Sequence, residues 1–324
     1  MKVKYKLILI YLSQIGSSQF FLPILKNKKL LKKNKIIILT NKLTNIYLLK
    51  HNIANIKINY KQIDIFNFLK KNNPQKVILS ATINDKIEKK IIISSKSLNI
   101  PTFSFIDMWI NYKERFLSNN KLILPDHILT IDSFAKKEMI GDKIPKNKIK
   151  IVGHPYFEYL SNQNIPIGKM NVFFSQPLGL KINPEIKYTK NFFYSFYKKN
   201  FNLFEKNSIY MSLHPNEKLL NIKDRKKYNI KRSKDFQDIL NVKNAFGVYS
   251  TQLISSYLLK RNVYVIGHLK QKFDPFPLSR WGLLNRIYST NDLKFALNKK
   301  YQFNNKFINS FKDSEKKLLN ILLN

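Results

Sequence analysis

The chain has no cysteine among its 324 residues, which excludes disulfides, thiolate metal sites and thiol catalysis. Arginine is scarce: of 58 basic residues only Arg115, Arg225, Arg232, Arg261, Arg280 and Arg286 are arginine, and the other 52 are lysine. Specific reading of bases and phosphates favours the forked guanidinium, so the net charge of +38 is not read as a specific nucleic-acid interface. Lysine spread evenly beside abundant Asn and Ile follows from A/T-rich codons, although the charge still draws the protein toward anionic lipid surfaces and polyanions. Glycine is limited to eight residues. None forms Gly-x-x-x-x-Gly-Lys, Gly-x-Gly-x-x-Gly or Gly-x-Ser-x-Gly, which disfavours P-loop hydrolysis, ordinary dinucleotide binding and the simplest hydrolase. No Asp-x-Asp occurs, so a metal-bound diphosphate of that type has no ligands, and a metal-independent reaction without a cofactor fits best. No segment approaches the roughly 20 apolar residues that span a bilayer. The opening "MKVKYKLILIYLSQIGSS" sets basic residues before an apolar run, but "LILIYL" is shorter than a signal sequence needs and reads as a first core strand.

What is present suits a packed α/β protein. Hydrophobic residues make up 44%, with 24 Phe and 17 Tyr, and the length favours two domains. Short apolar runs such as "YKLILIYL", "KIIILT", "KVILSAT", "IPTFSFID" and "HILTID" alternate with helix-length segments, the pattern of βα units around parallel sheets. This layout closes near residue 160. The polar stretch "SNQNIPIGKM" at 161–170 then precedes a second series: "NVFFSQP", "SIYMSLHP", "AFGVYS" and "NVYVIG" as strands, with "TQLISSYLLKR" and the tail as helices. A helix is also expected around "DFQDILNVK". The fold class predicted is α/β, with two doubly wound Rossmann-like domains, 1–160 and 171–324, facing across a cleft, and Ser289, Thr290 or Asn291 as the cap of the terminal helices.

In doubly wound sheets, ligands bind beyond the carboxyl ends of strands. The polar strand-end residues of the second half are Ser175 and Gln176, His214, and Ser250 and Thr251. Thr251 opens a helix whose N–H groups favour an anion, and Pro215 fixes the chain where His214 leaves its strand. In the first half, Gly16 and Ser17 lie in the glycine-bearing stretch "SQIGSSQ" after the first strand. Asp107 follows a strand beside Trp109, Tyr112 and Arg115, where a carboxylate would deprotonate an acceptor hydroxyl or simply cap a helix.

"LHPNEK", followed by "AFGVYSTQLISSYLLKRNVYVIG", resembles the donor half of GT-B glycosyltransferase-like proteins, including bacterial sialyl- and polysialyltransferases and glycerophosphotransferases. "DHILTIDSFAKKEMIGDKIPKNKIKIVGHPYFEYL" resembles the end of the first domain in those enzymes and in UDP-N-acetylglucosamine 2-epimerase-like proteins, with Gly153, His154 and Pro155 at the crossing. The resemblance implies that His214, Ser250 and Thr251 hold the donor phosphates, with Ser175 and Gln176 nearby. Asp107 is the candidate base, and the resemblance of "SQIGSSQ" to the flexible glycine-bearing loop that faces the crevice in those folds puts Gly16 and Ser17, with His154, on the acceptor side. It implies a nucleotide-sugar donor, a glycan or lipid-linked acceptor and synthesis of a bacterial surface polysaccharide, in the cytoplasm or peripherally on the inner membrane. The alternatives are a UDP-N-acetylhexosamine 2-epimerase or sugar-nucleotide hydrolase on the same fold, and a non-catalytic basic protein that binds polyanions.

Overall fold

The structure, a computed structural model, describes residues 6–27, 34–59, 62–176, 189–204, 208–213, 222–233, 240–267 and 274–324. The chain divides into two units, Met1–Tyr159 with Asn309–Asn324, and Leu160–Ile308.

The apolar runs of the first unit become strands β1 (Lys6–Leu12), β2 (Asn34–Thr40), β3 (Ile56–Lys57), β4 (Lys76–Leu79), β5 (Thr102–Phe105), β8 (His127–Thr130) and β9 (Ile149–Ile151), with a small hairpin of β6 (Leu117–Ser118) and β7 (Lys121–Leu122). The seven-stranded sheet is parallel in the order β3-β2-β1-β4-β5-β8-β9. Strands β1 and β4 are buried on both faces, which is why they read as continuous rather than alternating apolar runs. The second unit carries β10 (Met170–Phe174), β11 (Ile209–Ser212), β12 (Ile230–Arg232), β13 (Val242–Gly247), β14 (Asn262–Ile266) and β15 (Arg286–Ile287) in the order β12-β11-β10-β13-β14-β15, again parallel. Each sheet reverses strand order once, between β1 and β4 and between β10 and β13. Those two points are where a doubly wound sheet leaves a crevice.

Two expectations need correction. Residues 309–324 were expected in the second domain, but the helix Ser314–Leu323 puts Leu318 and Leu322 into the core of the first unit with Phe20, Phe21 and Phe105. Polar ends fasten it: the Glu158 carboxylate accepts from the N–H groups of Asp313 (2.7 Å) and Glu315 (2.8 Å), and Lys76 Nζ donates to the Ile321 carbonyl at 2.7 Å. The stretch "SQIGSSQ" is not a loop beyond Ser13 and Gln14, because the helix Ile15–Leu25 begins at once, with the Ser17 hydroxyl donating to the Gln14 carbonyl at 2.7 Å. At the end of the second unit Ser289 is the cap, its Oγ accepting from the Asp292 N–H at 3.1 Å. Of the helix expected around "DFQDILNVK", residues 234–239 lie outside the described residues, and Val242 already begins β13. Among the described residues no helix is long and apolar enough to cross a membrane.

Candidate functional site

In the second unit, the carboxyl ends of β10 and β13 bring four of the sequence-selected residues to one place. Ser175 and Gln176 follow β10, and Ser250 and Thr251 follow β13. The Ser175 N–H donates to the Ser212 carbonyl at the end of β11 (2.9 Å), so this end of the sheet stays paired beyond its last strand residue. Gln176 Nε2 donates to Ser250 Oγ at 3.2 Å, bridging the switch point directly. Ser250 is 2% exposed and caps the helix Thr251–Leu258, its Oγ also accepting from the Gln252 N–H at 3.1 Å. With both lone pairs engaged, the hydroxyl has its own O–H left to donate. The helix is held against the sheet by Leu253, Ile254, Tyr257 and Leu258, all buried, so its amino-terminal dipole is aimed at the rim by packing. Gly247 lets the helix pack closely, since a Cβ there would lie 2.9 Å from a Leu253 methyl and that side chain would have to shift. His214 lies outside the described residues.

No protein-family model matches the sequence, and no curated protein matches it. Solved structures do match. UDP-GlcNAc 2-epimerase from Methanocaldococcus jannaschii aligns with a TM-score of 0.64 at 14% identity, over 98% of this chain and 99% of that one. The UDP-GlcNAc 2-epimerase from Neisseria meningitidis, solved bound to UDP-GlcNAc, aligns at 0.62 and 11% identity, over 98% and 99%. The glycotransferase of kitacinnamycin aligns at 0.55 and 9% identity, over 99% and 95%. The fold is of the GT-B type. At these identities the fold is what is shared.

The switch point of the first unit holds a buried polar cluster that the sequence reading did not single out. Ser13 after β1 and Ser80 and Thr82 after β4 meet side by side: Ser13 Oγ lies 3.0 Å from Ser80 Oγ and 2.6 Å from Thr82 Oγ1. Glu88, 1% exposed, accepts from the Ser80 hydroxyl, from the Thr82 N–H at 2.6 Å and from the Ser13 hydroxyl at 3.3 Å. Burial pushes the Glu88 carboxyl up to about 7, reinforced by Asp85 and opposed in part by Lys89 and these hydrogen bonds. Lys89 Nζ lies 3.8 Å from Glu88 and donates to the carbonyls of Thr82 (3.0 Å) and Arg115. Between Ser80 and Thr82, Ala81 adopts φ 48°, a left-handed conformation that a residue with a Cβ pays about 1 kcal/mol or more to hold. Arg115 donates to the Ala81 carbonyl at 3.1 Å and Glu88 takes the next N–H, so the two ions together pin the turn. In front of the cluster a cavity of about 520 Å³ is lined by Ser13, Gln14, Asn41, Thr82 and Asn84, with Asp85, Lys86 and Lys90 at its edge.

The remaining expectations in the first unit divide. Gly16 and Asp107 are together: a Cβ on Gly16 would lie 3.2 Å from Asp107 Oδ2. Asp107 is 6% exposed and its Oδ1 accepts from Arg115 at 3.0 Å, so the carboxylate is engaged by a buried cation. Trp109 packs, donating Nε1–H to Asp132 at 2.7 Å, and does not share a site with Asp107. Ser17 is a helix-start residue. His154 is 2% exposed, and its ring stacks on Phe157 at 3.6 Å and meets Phe20 edge-on at 4.7 Å. Its Nδ1 accepts from the Phe157 N–H at 3.3 Å, so it caps the helix Pro155–Ser161, and burial holds its pKa well below the ordinary imidazole value. A neutral ring enclosed by aromatics cannot take the acceptor-side role expected of it. The crossing Gly153 has φ 84°, and a Cβ there would fall 2.0 Å from Ser314 Oγ, which makes this glycine a seat for the terminal helix.

The missed cluster had a readable signal. Ile87, Glu88, Lys89, Ile91, Ile92 and Ser95 are the buried residues of the helix Lys86–Ser97, so the acid, with Lys89 beside it, occupies a core position of the 3.6-residue pattern. An ionisable residue on an apolar stripe needs partners, and here the serines and threonine at two strand ends provide them.

Proposed function

We propose that the protein is an enzyme acting on a nucleotide-activated sugar, and that it transfers the sugar to an acceptor hydroxyl. The observation that carries the reading is the Gln176–Ser250 bridge across the β10/β13 switch point, beside the amino terminus of the helix Thr251–Leu258. A diphosphate there would receive the Ser250 O–H, the Thr251 hydroxyl and backbone N–H, and the helix dipole, with His214 as a further donor. The likeness of fold to epimerases and a glycotransferase, one of them solved with UDP-GlcNAc, supports a nucleotide sugar as the ligand class.

In the proposed reaction the acceptor oxygen bonds to the anomeric carbon as the bond from that carbon to the phosphate oxygen breaks. The electron pair leaves on the nucleotide, where the second-unit donors stabilise it. The acceptor hydroxyl must lose its proton. Asp107 was the expected base, but it is buried and held in an ion pair by Arg115, whereas burial raises Glu88 to about 7 behind two hydroxyls that line the first-unit cavity. We therefore assign Glu88 the proton, relayed through Ser13 or Thr82, and assign Asp107 with Arg115 the holding of that turn.

Epimerisation or hydrolysis of the donor is a second reading, favoured by the epimerases among the structural neighbours. The deciding assay incubates the protein with UDP-, CMP- and CDP-linked sugars, with and without oligosaccharide acceptors. Donor consumption that requires an acceptor, is abolished by Glu88→Gln and is strongly reduced by Ser250→Ala supports transfer. Turnover of the donor alone at an undiminished rate establishes the second reading. No consumption and no binding of any of them overturns both.

A further inference from the structure

A second cavity of the second unit, about 1000 Å³, opens at the other end of its sheet, around the amino-terminal residues of β10, β11, β13 and β14. Its most regular feature is a row of asparagines. Asn171, Asn244 and Asn262 occupy paired positions on three adjacent parallel strands. Asn262 Nδ2 donates to Asn244 Oδ1 at 2.9 Å, and Asn244 Nδ2 donates to Asn171 Oδ1 at 2.8 Å. Two residues further along the same strands, and so on the same face, Phe173, Phe246 and Tyr264 form the next row and lie in the core. The asparagines therefore stand where the apolar face of the sheet ends and the cavity begins.

The ladder runs in one direction, so Asn171 has both amide hydrogens to offer and Asn244 retains one, while Asn262 spends its second on the Tyr264 hydroxyl. The strands space these donors by roughly 5 Å, a separation that suits equatorial hydroxyl groups on alternate carbons of a sugar ring. Around the ladder Lys169, Lys243 and Lys294 are exposed, and among the described lining residues there is no carboxylate. The half-buried ring of Tyr210 adds an apolar face of the kind a sugar stacks on. The cavity lies within the range of ligand sites, and it combines fixed amide donors with excess positive charge.

We propose that this cavity binds an acidic saccharide, a hydroxylated ring bearing a carboxylate or a phosphate. The ring hydroxyls meet the asparagine row, and the anion meets the lysines. This site is distinct from the switch point at the opposite end of the strands, and it stands whether or not a nucleotide sugar binds there.

The test is calorimetry on the full chain with glucose 6-phosphate and N-acetylneuraminic acid, against glucose and inorganic phosphate, which each carry half of the chemistry. At least one acidic sugar should bind at least tenfold more tightly than either half. Lys243→Glu and Asn244→Leu should each weaken that binding at least tenfold, while Ser250→Ala and the charge-matched Lys70→Glu on the first unit leave it within twofold. Lys243 is exposed, so its variant decides the matter if Asn244→Leu does not fold. Binding no tighter than phosphate, or equal losses in Lys70→Glu and Lys243→Glu, would mean diffuse attraction to a basic protein and would overturn the site. Loss of binding in Ser250→Ala would overturn it by placing the sugar at the switch point.

Discussion

Glu88 and His154 are both buried in the first unit and both titrate away from their ordinary values, with opposite consequences for folding. Folded Glu88 keeps its proton to about pH 7, whereas the ordinary carboxyl releases it near 4.5, so the folded chain binds more protons across that window and loses stability as pH rises through it. His154 is the reverse case. An unfolded imidazole gains a proton below 6.5 while the folded ring stays neutral, so stability is lost as pH falls below that value. Thermal unfolding from about pH 5 to about pH 8 should therefore show Glu88→Gln gaining on the wild type as pH rises. His154→Asn keeps a capping acceptor and should flatten the acid limb, with nucleotide binding unchanged. Identical pH profiles for wild type and variants would contradict these assignments. Arg115 has the larger structural role: Arg115→Met strands the Asp107 carboxylate and frees the Ala81 carbonyl, and should cost about 3–5 kcal/mol in denaturant titration.

At the scale of elements, the sheet order is set by strands whose apolar runs were plain in the sequence. The short edge strands were not: β3, β12 and β15 are two or three residues long, with exposed or mixed faces, and carry no period to read. The candidate donor site was legible because its residues are local to strand ends: Ser175, Gln176, Ser250 and Thr251 follow apolar runs directly. The first-unit cluster was not, because it needs three separated segments, Ser13, Ser80–Thr82 and Glu88, to be seen together. Nor was the home of the terminal helix, since an amphipathic stripe says that a face is buried and not against what. That placement is testable. Leu318→Ala should lower the stability of the first unit by about 3 kcal/mol and leave ligand binding by the second unit intact. Gly153→Ala should destabilise the same unit, because its Cβ has no room beside Ser314 and its φ is left-handed.

At the scale of the whole molecule, two doubly wound units each present a switch point, one lined by capped hydroxyls and a helix terminus, the other by a carboxyl that titrates near neutrality. The net charge of +38 surrounds both and will draw any anion, so affinity alone is a poor witness and site variants at fixed salt are the informative comparison. The proposed ligand of the β10/β13 switch point is the phosphate end of a nucleotide. Calorimetric titration of UDP, CDP and CMP at about 0.15 M salt into wild type, Ser250→Ala and Lys70→Glu tests it most directly. One nucleotide should bind the wild type and Lys70→Glu alike and bind Ser250→Ala roughly tenfold more weakly, the loss of one hydrogen bond to a charged group. Equal affinity in wild type and Ser250→Ala, or no nucleotide bound at all, would contradict it.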